Sequence, residues 1–461
     1  MYDFKTLTLG YVPSRRDTFP DPAHAIAGRD QVRKRIEELA KGCGGVKIVD
    51  IDWLNEEKLL VDNHDIPKVL KKFRDENVDA LLIVLCNFGQ EEVIAKLAKE
   101  MGKPVLLWGP RDVYPPANVC DDRQTDTQCG LFAASRALMR YGVPFTYIEN
   151  CWLDAPVLEK GFDDFIRTAS VVKAMTNLRL GQISNRPWQF LSVKVNESEL
   201  LERFGVEVVT INEAQLFSKT HEYLDKYPQK VDEMVADIKN KVTFVDGEEK
   251  IREIAAFELA IMELAKIHDC RAMACECWEI MHRELGIRPC FAFGDLTDRG
   301  LPVACETDIH GSISSIMLTA AARGETQNFL ADVTMRHPEN ENAELLWHCG
   351  PFPSSIVKKG AKTEVRDCHG QWEIEGGKIT VARFDADKGK YTLFAGCADG
   401  VEGPITNGNY VWIETNDWPA WEKKLIYGPY IHHVAGIHGD YTGILKEACK
   451  YLDGVEFDPA P

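Results

Sequence analysis

Seven consecutive apolar residues, Ala80 to Cys86, lie between two helix-like segments, and no other stretch narrows the possible folds as much. A strand with one wet face alternates apolar and polar side chains. An unbroken apolar run flanked by helices reads as a central strand of a parallel sheet covered on both sides. The neighbouring segments agree. Strand-like runs at Leu7–Val12, Val46–Trp53, Pro104–Trp108 and Val143–Ile148 alternate with helical patterns at Ala23–Lys41, Ile66–Glu76, Glu91–Met101 and Thr127–Tyr141. That alternation predicts a doubly wound α/β domain over residues 1–165. It has neither GxGxxG nor GxxxxGK[ST], so dinucleotide and P-loop readings have no support.

A second α/β pattern, assigned to residues 166–345, starts with strands at Leu178–Ile183 and Val206–Ile211. It continues through helices near Glu213–Lys226 and Val231–Lys241, a long helix expected over Glu249–Leu285, and a strand expected at Pro289–Phe293. Residues 346–461 change character. Short strands at Thr380–Phe384, Tyr391–Cys397 and Tyr410–Glu414 are separated by Gly and Asp turns, with no further helix expected before Thr442–Tyr451. This predicts a mainly antiparallel, barrel-like third domain.

Composition excludes several function classes. A net charge of −18 disfavours a phosphate-backbone partner. No window is apolar for the length of a membrane span, and the N-terminus lacks the basic-then-apolar order of an export signal. Fourteen cysteines without that signal suit reduced thiols in the cytoplasm. The densest group, Cys270, Cys275 and Cys277 with His268 and His282 nearby, lacks paired CxxC spacing and reads as buried apolar thiols rather than a zinc site.

The chemistry-bearing stretch is Ala304–Asp332. Glu306 ends one apolar run, a helical pattern follows from Ser312, and Asp332 ends a second run. Read as a βαβ unit, this sets both carboxylates on one edge of a parallel sheet, facing each other across a cleft. Each is equally readable as a solvated strand-end acid. A histidine pair, His432 and His433, lies in a loop of the last domain. Two carboxylates and an imidazole suit a divalent cation of the Mn²⁺ type better than a thiolate zinc site does. Arg15, Arg16, Asn87 and Phe88 follow strand ends of the first domain, where amides and rings suit a polyhydroxylated ligand.

The stretch ACETDIHGSISSIML…FLAD and the segment IHHVAGIHGD resemble the L-fucose and L-arabinose isomerases, metal-dependent aldose–ketose isomerases. The resemblance extends to domain order. It implies Glu306 and Asp332 as catalytic groups and, with His433, as ligands of Mn²⁺ or of Mg²⁺ or Co²⁺. It implies Asp308 and His310 as groups orienting those ligands, Arg15, Arg16, Asn87 and Phe88 as sugar contacts, and His348 and His432 as sugar contacts or further ligands. It further implies a hexameric homo-oligomer. A free sugar of the fucose or arabinose type is the expected substrate. The Arg15–Arg16 pair leaves open an anionic sugar, sulfonated (such as sulfoquinovose) or phosphorylated. Tandem α/β domains leave open a non-catalytic sugar-binding protein.

Overall fold

The computed structural model describes residues 2–18, 22–112 and 124–461. The chain divides into two compact units, residues 5–173 and residues 1–4 with 174–461.

In the first unit, β1 (Leu7–Ser14), β2 (Val46–Val49), β3 (Ala80–Leu85), β4 (Val105–Trp108) and β5 (Thr146–Tyr147) form a parallel sheet in the order 2-1-3-4-5. The apolar run is β3, the central strand. Leu81, Ile83 and Leu85 pack into the core on one face, while Ala80, Leu82 and Val84 pack into the core on the other. Each such buried aliphatic side chain contributes roughly 1.5–3 kcal/mol. Strand order reverses between β1 and β3, which is where ligands of open α/β sheets bind. The helix Pro156–Met175 closes this unit. The expected boundary at residue 165 falls inside that helix, and the unit ends at residue 173.

In the second unit the strands are β6 (Arg179–Ile183), β7 (Glu207–Ile211), β8 (Thr243–Phe244), β9 (Ala272–Cys275), β10 (Val303–Cys305), β11 (Asn328–Arg336), β12 (Ala343–His348), β13 (Glu364–Arg366), β14 (His369–Glu373), β15 (Gly377–Asp387), β16 (Lys390–Val401), β17 (Asn409–Glu414), β18 (His433–His438) and β19 (Val455–Pro459). A four-stranded parallel sheet has the order 10-9-6-7. The strands β16-β15-β18-β11-β12-β17 pair antiparallel in sequence, and the β16–β17 pairing closes them into a barrel. The fold is thus two parallel-sheet α/β regions followed by an antiparallel barrel. Sheet and barrel belong to one unit, and the expected boundary at residue 345 falls inside β12. Among the described residues no helix is long and apolar enough to cross a membrane.

Three expectations are corrected. The long helix is two helices, Glu248–Ile267 and Glu279–Leu285, separated by β9. Asp269 breaks the first helix with φ of 53°, and Ala-Met-Ala-Cys carries no β-branched residue to signal the strand. Residues 290–298, expected to begin as a strand, form a helix preceded by Pro289, a residue preorganised for a helix start. A helix at Trp418–Tyr427, started by an Asp417 cap, interrupts the strand-rich region.

The Glu306–Asp332 stretch is not a βαβ unit. The strand β10 pairs parallel with β9, whereas β11 pairs antiparallel with β12 and β18. The intervening helix, Ile309–Ala321, is buried at every residue, its serines, Thr319 and His310 included. It packs on β9 and β10 on one side and on β15 and β18 on the other. Its serines serve both layers: Ser312 donates to the Met273 carbonyl at 2.6 Å, and Ser314 accepts from the Phe384 amide at 2.9 Å.

The barrel holds one acid at odds with its surroundings. Burial pushes Glu344 on β12 up to about 7, with Arg336 opposing and Glu422 adding to the rise. A carboxyl raised in the folded state supplies stability at acid pH that is lost as pH rises through its folded value. Glu344→Gln is therefore expected to gain roughly 1–3 kcal/mol at about pH 8 and almost nothing at about pH 4, measured by urea denaturation.

Candidate active site

The site begins at the end of β10, where the backbone turns sharply. Glu306 and Thr307 have φ of 59° and 57°, a left-handed conformation costly for residues with a Cβ and concentrated at functional positions. Backbone bonds from Thr307 to Cys275 and from Asp308 to Cys305 hold the turn. Asp308 caps the buried helix by accepting from the Gly311 amide at 2.9 Å.

Three neighbouring barrel strands supply the other groups. Asp332 on β11 lies directly across from His433 on β18, and His348 ends β12. His433 Nε2 is 2.9 Å from Glu306 Oε2 and 3.4 Å from Asp332 Oδ1. Nε2 of His348 is 3.9 Å from the same Asp332 oxygen, and that of His432 is 4.0 Å away. The structure therefore brings Glu306, Asp332, His433, His348 and His432 together, although the two carboxylates come from different sheets.

Behind them lies a buried charge network. Arg383, fully buried on β15, donates to both oxygens of Asp308 and, at 2.9 Å, to Asp385. Asp308 in turn takes the Nδ1 hydrogen of His433 at 2.9 Å. That bond fixes the ring and leaves Nε2 facing Glu306 and Asp332. Asp385 engages His310 Nδ1 at 2.9 Å, so His310 reaches the site through Asp385 and Arg383. Burial alone would raise Asp308, but the Arg383 charge holds it far below the carboxylate range. Burial would likewise raise Glu306, and the bond from His433 outweighs it, so Glu306 is ionised. Burial opposes charge on His433, yet its bonds to Asp308 and Glu306 push it up to about 9.

The donor set fits a divalent cation. Glu306, His348 and His433 each offer a ligand atom within 4.8 Å of the others, as do Asp332, His432 and His433. Adjacent ligands of an octahedral ion with bonds of about 2.1 Å stand about 3 Å apart. Asp332 Oδ1 and His348 Nε2 are both buried with no hydrogen-bond partner, a costly state for two polar atoms that a shared ion would relieve.

Glu306 also lines a cavity of about 600 Å³ with Trp278, His282, Arg288 and His369. Trp278 donates from Nε1 to Glu306 Oε1 at 2.7 Å. Phe190 stacks on Trp278 and meets the His433 ring edge-on. Trp278, Phe190, Arg383 and Asp385 were not singled out in the sequence. Only Arg383 left a signal there, as a lone cation within the apolar run TVARF.

Arg15, Arg16, Asn87 and Phe88 come together in the first unit, at the β1/β3 switch point. The Arg16 amide donates to Asn87 Oδ1 at 2.8 Å, and its guanidinium lies 3.8 Å over the Phe88 ring. Both arginines are paired, Arg15 with Glu57 and Arg16 with Glu91.

Residues 10–176 match the family described as fucose/sulfoquinovose isomerase, N-terminal domain. Sulfoquinovose isomerase from Priestia megaterium is 26% identical over 461 residues, covering 97% of this chain and 98% of that protein. The chain is similar to the fucose isomerase-like proteins. A sulfoquinovose isomerase from Alkalicoccus urumqiensis is 24% identical over 451 residues, 96% of this chain and 97% of its own. A third, from a Clostridium species, is 23% identical over 301 residues, 64% of this chain and 65% of its own.

The Arg383 network generates a stability test. Arg383→Met leaves Asp308 and Asp385 buried without their cation and is expected to cost roughly 3–5 kcal/mol in chemical denaturation.

Proposed function

We propose that this protein is a cation-dependent aldose–ketose isomerase whose substrate is a sulfonated aldose. The observation that carries this reading is the convergence of Glu306, Asp332 and His433, with two unpartnered buried ligand atoms, beside a cavity that also holds Arg288. The relatives' names point to the sulfonated substrate. A neutral sugar of the fucose type, the first expectation from sequence, has less support.

The residues fit the reaction. Converting an aldose to a ketose moves a proton from C2 to C1 and another from O2 to O1. Glu306 and Asp332 are the two carboxylates placed to accept the carbon-bound proton and return it at the neighbouring carbon. Trp278 holds Oε1 of Glu306, and Oε2 lies 2.9 Å from His433 Nε2. Asp308 keeps His433 in one tautomer throughout. When bound by Glu306, Asp332, His433 and His348, a divalent cation of the Mn²⁺, Mg²⁺ or Co²⁺ type would stabilise the negative charge that develops on the sugar oxygens. Arg288, half exposed and 3.4 Å from Asp367, offers a cation on the wall of the same cavity for the sulfonate. A cytoplasmic homo-oligomer, hexameric by the family resemblance, completes the proposal.

Glu306→Gln should retain the fold by circular dichroism yet lose at least about a hundredfold in turnover of a sulfonated aldose with Mn²⁺ supplied. Near-normal ketose formation by that variant would refute the reading. Arg288→Gln should raise KM for the sulfonated aldose by about tenfold and leave the neutral hexose unaffected. Equal effects on both sugars would remove Arg288 from substrate selection.

A further inference from the structure

The cavity wall opposite in chemistry to Glu306 is made of sulfur. Cys290 is the first residue of the helix Cys290–Asp298, Cys349 follows β12 directly, and His369 is the first residue of β14. All three line the cavity, and one ligand atom of each lies within 4.8 Å of the other two. The two sulfurs are 3.1 Å apart. Cys305, fully buried, stands in ligand distance of Cys349 on its other side.

Buried thiols are usually small apolar filler. Two features separate this group from filler. An imidazole from a third element joins the sulfurs at the cavity surface. The approach of the segments is also built in: a Cβ on Gly350 would lie 2.3 Å from the carbonyl carbon of Cys290, so a glycine there is what lets the Cys349 segment lie against the helix start.

We propose that Cys290, Cys349 and His369 form a binding site for a soft divalent cation of the zinc class, distinct from the carboxylate–imidazole site, with its fourth position open to the cavity. Thiolate and imidazole ligands select zinc over manganese or magnesium, while the neighbouring carboxylate-rich set has the opposite preference. Three protein ligands with an open position are the arrangement of accessible zinc sites. Zinc–sulfur bonds of about 2.3 Å place two sulfurs about 3.8 Å apart, so the pair need open by only roughly 0.7 Å. Zinc takes both sulfurs as thiolates. Cys349 follows His348, so the two sites share one stretch of backbone. The proposal does not rest on the isomerase reading.

The test uses the reduced full chain, freed of metal, with Co²⁺ as a spectroscopic probe for zinc. The expected result is a thiolate-to-cobalt charge-transfer band that saturates at one ion per chain. It should persist with excess Mn²⁺, disappear on adding one equivalent of Zn²⁺, and survive in Glu306→Gln. Cys290→Ser/Cys349→Ser should abolish it. His369→Gln, at a partly exposed position, should weaken cobalt binding at least about tenfold and covers the case in which the double variant fails to fold. Absence of the band, or its survival in both variants, overturns the proposal. So does a thiol titration in which the purified protein lacks two thiols that reductant restores, because the pair would then be a disulfide.

Discussion

The contact between Asp308 and Arg383 underlies the architecture of the site. Both side chains are fully buried, and removing two charges from water costs several kcal/mol per ion unless every lone pair and N–H is used. Here they are used with little left over. Asp308 caps the central helix, receives two guanidinium bonds and orients His433. One carboxylate thus joins the helix between the layers, the barrel strand β15 and the imidazole that faces Glu306. The pair does more to specify arrangement than to add stability, since packed apolar residues would hold the layers together at least as well.

Two neighbouring groups of donors differ in chemical hardness. Oxygen and imidazole donors gather where β10 meets β11, β12 and β18, and sulfur donors gather where β12 ends against the helix after Pro289. Cys349 and His348 are consecutive in sequence and touch, Nδ1 of the ring lying 3.2 Å from the sulfur, while Nε2 of His348 is turned to Asp332.

Much of the first unit was legible because its signals are local. The run at Ala80–Cys86 and the flanking 3.6-residue periodicities need no knowledge of distant residues. The second unit was harder to read for a physical reason: its defining contacts are non-local. Nothing in Asn328–Asp332 distinguishes a parallel strand from a barrel strand, because the difference lies in partners at Ala343–His348 and His433–His438. Glu306 and Asp332 both reach His433 all the same, but through a helix that crosses between layers rather than along one sheet edge. Arg383 and Trp278 escaped because each acts through a side chain far away in sequence. The sulfur group escaped for the same reason, its members being spread over residues 290 to 369 and outside any zinc-type spacing.

The closure of β16 on β17 has a mechanical consequence. A ring of strands without a free edge cannot shear one member past the next without breaking a whole ladder of bonds. Asp332, His433 and His348 ride on three adjacent staves of that ring, so they translate as a rigid jaw. The opposing jaw is Glu306 alone, perched on a kinked peptide at the tip of a short strand. Any compliance between the two jaws is lodged in that single side chain and its turn.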